Sequence, residues 1–227
     1  MSLRLGETKI KGVNLPSYDF IKAFFDAGGK CGYSGATSFD GIITFTATSD
    51  VTDMSYMFKG CSSLTSVPSF NTANVTNMYD MFEGCSSLTS VSLLGTSNVT
   101  DMGFMFKGCS SLTSIPSLDT SNVTDMNFMF DGCSRLTNIP SFDVSNVTYM
   151  NSTFRYCSSL ETIHMINIGT SLDISSSTKF TREALLEIIG NLKTVTTTKR
   201  LTMGSTNLAK LTDEDKAIAT NKGWTLA

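Results

Sequence analysis

From Asp50 to Gly169 the apolar residues of the chain recur on a period of 24, with no insertion between one unit and the next. The five units read DVTDMSYMFKGCSSLTSVPSFNTA, NVTNMYDMFEGCSSLTSVSLLGTS, NVTDMGFMFKGCSSLTSIPSLDTS, NVTDMNFMFDGCSRLTNIPSFDVS and NVTYMNSTFRYCSSLETIHMINIG. Phe58, Phe82, Phe106, Phe130 and Phe154 hold one position of this register; Cys61, Cys85, Cys109, Cys133 and Cys157 hold another. Repetition of this kind marks a solenoid. A unit so small cannot bury its own apolar face, so each must stack on its neighbour and like residues line up in columns.

Within a unit, Met54, Met57, Phe58 and Cys61 stand at i, i+3, i+4 and i+7, which predicts a helix of about two turns. Thr52 or Asp53 is placed to start it, and Gly60 to end it in a left-handed conformation. Beyond Cys61 the apolar residues come at every third position, Leu64, Val67 and Phe70. Leu64 to Val67 is the expected strand, ended by Pro68 and, in later units, by Pro116 and Pro140, since proline donates nothing to a ladder. Strands stacked in parallel lie about 4.8 Å apart. A helical side wider than the strand side would bend the stack into an arc.

The flanks depart from the period. Tyr18, Phe20, Ile21, Phe24 and Phe25 have helical spacing over residues 17–27 and are followed by Gly28 and Gly29, while residues 41–49 resemble a degenerate strand. After Gly169 the pattern becomes β-α-β-α-β. It comprises a strand at 172–174, a helix begun by Thr181 and stopped by Gly190, a strand at 201–203, a helix opened by a Thr212–Asp215 capping box, and a strand at 224–226. The expected architecture is one continuous α/β solenoid with a parallel sheet, made of an N-terminal cap at 1–49, five coils at 50–169 and a C-terminal cap at 170–227.

Composition narrows the chemistry. Seventeen basic against 20 acidic residues give a net charge of −3, which excludes the basic footprint of a nucleic-acid binder. His164 is the single histidine, and no nucleophile elbow, HExxH helix, phosphate loop or dinucleotide turn occurs. Catalysis, a cofactor and a metal centre are therefore not expected. No stretch approaches the roughly 20 apolar residues of a membrane span, and MSLRLGETKIKGV lacks the apolar core of a secretion signal. With 31 serines and 31 threonines, the surface must be largely hydroxylic.

Several motifs have a plain structural reading. One cysteine per unit on the apolar stripe predicts small buried free thiols rather than disulfides. Asn74, Asn98, Asn122 and Asn146 open N-x-T sequences, but they recur because the unit does, and they predict an asparagine ladder bonded to backbone. Asp53, Asp101 and Asp125 lack the spacing of a calcium loop. The residues after the column phenylalanines, Lys59, Glu83, Lys107, Asp131 and Arg155, alternate in sign and would pair across stacked units.

The segment NVTDMGFMFKGCSSLTS resembles the BspA-like leucine-rich-repeat family of bacterial surface proteins, whose repeats share an MF-x-x-C-x-x-L core. The resemblance implies a leucine-rich-repeat solenoid and adhesion to host proteins or cells, without catalytic residues. The ends, LRLGETKIKGV and LTMGSTNLAKLTDEDKAIATNKGWTLA, look like those of repeat proteins encoded among phage tail and baseplate genes, which would carry the chain outside on a virion. The expected function is a non-enzymatic adhesion module on a bacterial or virion surface. Its partner would be a host protein or glycan; alternatively the chain is a structural virion subunit meeting other virion proteins. Two sets of residues are candidates for contact. Tyr56, Asp80, Phe104 and Phe128 vary between units, and exposed aromatics anchor interfaces. Thr65, Thr89, Thr113 and Thr137 form a regular hydroxyl lattice.

Overall fold

The computed structural model describes residues 52–67, 72–92 and 94–227. The expectations for residues 1–49 lie outside these. Successive units are joined in parallel at intervals of one period, through the bridges Asp53 to Asn77, Asn77 to Asp101, Asp101 to Asp125, and Asp125 to Tyr149. Like residues therefore meet like. The rings of Phe58 and Phe82 lie 5.3 Å apart and nearly parallel, and Phe82–Phe106, Phe106–Phe130 and Phe130–Phe154 repeat that stack at 5.4, 5.7 and 5.8 Å.

The segment from Met54 to Cys61 is not the expected helix. It is a run of tight turns in which alternate amides leave the unit: Met54, Tyr56, Phe58 and Gly60 donate to the carbonyls of Asn77, Tyr79, Met81 and Glu83 of the next unit. The intervening amides of Met57, Lys59 and Cys61 fold back onto Met54, Tyr56 and Phe58. Two left-handed residues per unit make this path possible: Tyr56 at φ 62° and Gly60 at φ 76° in the first described unit. The reason is spatial. A helix with its side chains is about 10 Å across, whereas neighbouring units in a parallel ladder sit about 4.8 Å apart, so helices cannot be stacked at this pitch. The bend expected from a wide helical side loses its premise over these residues.

The opposite side is also less regular than expected. From Thr65 to Thr137 a single amide per unit reaches the threonine carbonyl before it, as Thr89 does to Thr65 at 3.1 Å. Among the described residues, continuous strands within the 24-residue units occur only at β1 (Asn138–Asp143) and β2 (Thr162–Ile166), paired in parallel. Pro140 does not end this pairing. It sits inside β1, where the register shifts between Ile139 and Phe142 and no amide is required of it.

The core is a set of buried columns. Met, Phe, Cys and Leu of each unit are almost fully enclosed. Each thiol of Cys85, Cys109, Cys133 and Cys157 donates to the carbonyl of the column phenylalanine one unit earlier, at 3.0 to 3.1 Å. These four are free, but Cys61 is disulfide-bonded, contrary to the expectation for that column. The asparagine ladder is present: Asn98, Asn122 and Asn146 donate at 2.7 Å to the carbonyls of Ala73, Ser97 and Ser121.

Beyond Ile168, β3 (Leu172–Asp173), β4 (Lys199–Thr202) and β5 (Trp224–Leu226) form a parallel sheet. Helix α1 (Arg182–Gly190) begins with Thr181 Oγ1 accepting from the Ala184 amide, and it takes in Gly190 rather than stopping before it. A short α2 (Ser205–Leu208), not foreseen, precedes α3 (Asp213–Asn221), whose start carries the full Thr212–Asp215 capping box. Gly223 has φ 88°, and a side chain there would come within 2.6 Å of the Val195 carbonyl oxygen, so only glycine fits. Phe180, Leu185, Ile188, Leu201 and Trp224 belong to the same continuous core as the phenylalanine columns.

Candidate functional site

The four varying positions share one backbone property that their side-chain types do not announce. Tyr56, Asp80, Phe104 and Phe128 all lie in the left-handed region, with φ of 62°, 58°, 59° and 55°. Each costs roughly 1 to 2 kcal/mol relative to a glycine. Three of them present rings along the turn face. Phe104 stacks on Phe128 with centroids 4.8 Å apart; Tyr79 meets Phe104 at 5.4 Å and Tyr56 at 5.5 Å. The result is a continuous aromatic stripe in which Tyr56 is half exposed and Tyr79, Phe104 and Phe128 are partly so.

Asp80 is the exception. It is buried, turned away from solvent and bound through Oδ2 to Lys59 Nζ at 2.6 Å. Tyr79, one residue earlier, fills the gap in the stripe. Gly103 allows it, because a Cβ at that position would lie 3.2 Å from the Tyr79 ring. Tyr79 was not among the expected site residues; a glycine one unit beyond a displaced aromatic is the signal that would have found it.

Charges flank the stripe, and three of the four neighbouring pairs that the sign alternation predicts are formed, the Lys107–Asp131 pair being absent. Lys59 pairs with Glu83, Lys107 with Glu83 at 2.9 Å, and Arg155 with Asp131 through two hydrogen bonds of 3.0 and 2.6 Å. The same cations lie over the rings: Lys59 over Tyr56, Lys107 over Phe104 and Arg155 over Phe128, all at 5.1 to 5.2 Å. Burial pushes the Asp80 carboxyl above its ordinary range, against the pull of Lys59. Burial also acts on Glu83, but the ammonium groups of Lys59 and Lys107 outweigh it and hold that carboxyl low. Asp101 is raised by burial, with the charges of Asp125 and Asp53 adding to the effect.

Thr65, Thr89, Thr113 and Thr137 form a separate exposed column. The hydroxyls of Thr89, Thr113 and Thr137 each donate to the threonine carbonyl of the preceding unit, at 3.1 to 3.4 Å. Their donors are thus spent within the ladder. Leu94, Leu118 and Phe142, the other varying column, are core. His164 Nδ1 contacts Glu187 Oε1 at 2.7 Å on the surface. Among the described residues no three His, Cys, Asp or Glu converge as metal ligands, and no helix is long and apolar enough to cross a membrane.

Parallel-bridged short units around columns of apolar side chains, continued by a strand-helix segment on the same core, define a leucine-rich-repeat-like solenoid. Over residues 31–114 and 88–184 the sequence matches the family described as "Mycoplasma protein of unknown function, DUF285", and the chain belongs to that family. The fold is similar to the crystal structure of a leucine-rich-repeat protein from T. pallidum, with a TM-score of 0.53 over 78% of this chain and 79% of that one. At 17% identity that likeness bears on the fold alone. No curated protein sequence matches the chain.

Proposed function

We propose that this protein is a non-enzymatic recognition module, displayed on a bacterial surface, that binds a partner protein through the turn face of its solenoid. In this reading residues 50–169 form five coils, with residues 1–49 and 170–227 closing the two ends of the stack. The observation that carries it is the aromatic stripe of Tyr56, Tyr79, Phe104 and Phe128. Three of its four members occupy left-handed positions where glycine would be free of strain, and they leave apolar surface in contact with water. Aromatic side chains with cations at their borders are the usual anchors of a protein interface. A protein partner fits better than a glycan. Sugar rings stack on free aromatic faces, and here the faces are taken up by neighbouring rings and by Lys59, Lys107 and Arg155.

The test is binding of the full chain to a panel of immobilised host extracellular proteins and to a glycan array. Binding to a protein is expected, with Tyr56→Ser and Phe104→Ser each lowering affinity by about tenfold or more and Thr89→Ala leaving it unchanged. Loss on Thr89→Ala with no effect of the aromatic variants would refute the assignment of the face. Binding to glycans alone would refute the partner class.

A further inference from the structure

Two columns run along the aromatic stripe, one on each side. Asp53, Asn77, Asp101, Asp125 and Tyr149 precede it within their units; Lys59, Glu83, Lys107, Asp131 and Arg155 follow it. The first column has no counter-ions of its own. Asp53, Asp101 and Asp125 each give one oxygen to the amide two residues ahead, at 2.7 to 2.8 Å, and none of them joins a salt bridge among the described residues. The cations stand across the stripe, where the side chains of Lys59, Lys107 and Arg155 remain 43%, 34% and 46% exposed.

The two columns vary together from unit to unit. Asp53 shares its unit with Lys59, and Asp101 shares its unit with Lys107. Where the second column turns acidic at Glu83, the first carries the neutral Asn77. The unit with Arg155 has Tyr149, whose ring is 57% exposed. Asp125 with Asp131 breaks the pattern, and there Arg155 already holds Asp131 through two bonds. None of these combinations closes within one copy, because the stripe lies between the columns. A two-fold axis along the stripe would close them. Such an axis keeps every unit at its own height and exchanges one side for the other, so the first column of each molecule meets the second column of its mate. An axis across the stripe would instead set the aspartate columns against each other.

We propose that the turn face docks on the turn face of a second copy of this chain, the two solenoids lying parallel with stripe against stripe. Asp53 then meets Lys59 of the second copy, Asp101 meets Lys107, and the Tyr149 ring meets the Arg155 guanidinium, while the Asn77 amide donates to Glu83. Each of these contacts forms twice, since a two-fold interface is self-complementary. Charge complementarity across the contact selects the mate and fixes its register. Parallel copies point the same way, so the pairing joins molecules held on one surface rather than on two facing cells. The inference rests on the turn face being the binding face and names what occupies it.

Sedimentation equilibrium of the full chain over a concentration series tests it. A monomer–dimer equilibrium is expected, weakened about tenfold or more by Phe104→Ser and weakened again in about 1 M salt. Asp101→Asn keeps an oxygen to start the turn, as Asn77 does for the Tyr79 amide at 2.9 Å. It should raise the dissociation constant roughly tenfold, because two ion pairs are lost together. Asp101→Lys and Lys107→Glu should each be monomeric where the natural chain is dimeric, and an equimolar mixture of the two should dimerise again, the opposed charges being restored between copies. Circular dichroism of each variant separates lost pairing from lost folding; if a reversal unfolds, Asp101→Asn and Phe104→Ser decide. A dimer indifferent to both of these, or a mixture of folded reversal variants that stays monomeric, would overturn the proposal. So would a natural chain that is monomeric at every concentration. If that monomer still bound a host protein and lost it on Tyr56→Ser, the turn face would stand as the binding face with a different occupant.

Discussion

Reversing Glu83 to lysine probes the stacking of units through a single side chain. Glu83 accepts from Lys59 on one side and Lys107 on the other, and its own side chain is only 20% exposed. An ion pair at a wet surface is worth about 0 to 1 kcal/mol, and partial burial places these two in the upper part of that range. The substitution removes both and sets a third ammonium between two others, while Asp80 still holds Lys59 and limits the damage. The sum is a loss of roughly 2 kcal/mol. For a chain of this size each kcal/mol moves the midpoint by about 2 to 4 °C, so a fall of about 4 to 8 °C is expected at low salt. In about 1 M salt the screening length shrinks to near 3 Å, and at least half of the fall should vanish. Glu83→Gln, which deletes charge without reversing it, should show a smaller drop with the same salt dependence. Thermal unfolding by circular dichroism at the two salt concentrations measures all of this. An unchanged or raised midpoint for Glu83→Lys at low salt would mean that these side chains are not neighbours.

Other perturbations test other parts of the stack. Phe106→Ala removes a fully buried ring with a stacked neighbour on each side and should cost about 3 to 5 kcal/mol in denaturant unfolding. A loss under about 1 kcal/mol would show that the columns are not sealed. Gly108→Ala has room for its methyl, 3.6 Å from the Gly84 Cα, so its expected cost of about 1 to 2 kcal/mol comes from φ 74° alone. Cys85 and Cys157 are pushed up to about 12 by burial, and burial likewise holds Cys109 and Cys133 well above the ordinary thiol range. None of the four should react with a thiol reagent at neutral pH before unfolding, as mass spectrometry of the alkylated native protein would show. Acid should destabilise the fold partly through Glu83. Its carboxyl is held below the ordinary 4.5, so its contribution is complete above that value and is lost as pH falls through the lowered one. Asp80, raised by burial, has the opposite sign: its contribution is lost as pH rises through its raised value. Glu83→Gln should therefore show a shallower decline in acid than the natural chain.

The columns were legible because the period is unbroken. Once Phe82 and Phe106 are known to be 24 residues apart in a unit that cannot bury itself, their stacking follows from burial alone. The local path was not legible. Apolar residues at i, i+3, i+4 and i+7 satisfy a helix, but they equally satisfy a turn segment whose alternate amides point along the stack. Deciding between them takes the pitch of the stack, which periodicity does not contain. The left-handed conformation at Tyr56, Phe104 and Phe128 was hidden for a related reason. Glycine or asparagine normally announces that region, and here bulky aromatics hold it because inter-unit hydrogen bonds fix the backbone on both sides. Beyond Gly169, where caps and periodicity are those of ordinary helices, Thr181 and the Thr212–Asp215 box mark the helix starts directly.

In a duplicated chain, departures from the repeat carry information in proportion to what they disturb. Asp80 replaces a ring in the stripe, yet Tyr79 and Gly103 restore the line of aromatics, so a change at one position is offset at two others and the exposed stripe persists. Leu94 and Leu118 vary from Phe142 without consequence, because any large apolar side chain fills that part of the core. Tyr149 and Tyr156 are different again: Tyr149 gives up the side-chain oxygen that starts the turn in other units, which Asn127 supplies instead, and Tyr156 holds φ 60° with its ring largely exposed beside the Arg155 guanidinium. Compensation that keeps a surface feature intact, and strain that maintains one, are both hard to reconcile with a face that touches only water. Packing explains the columns completely and leaves these aromatic positions unexplained, and that remainder is where binding should be sought.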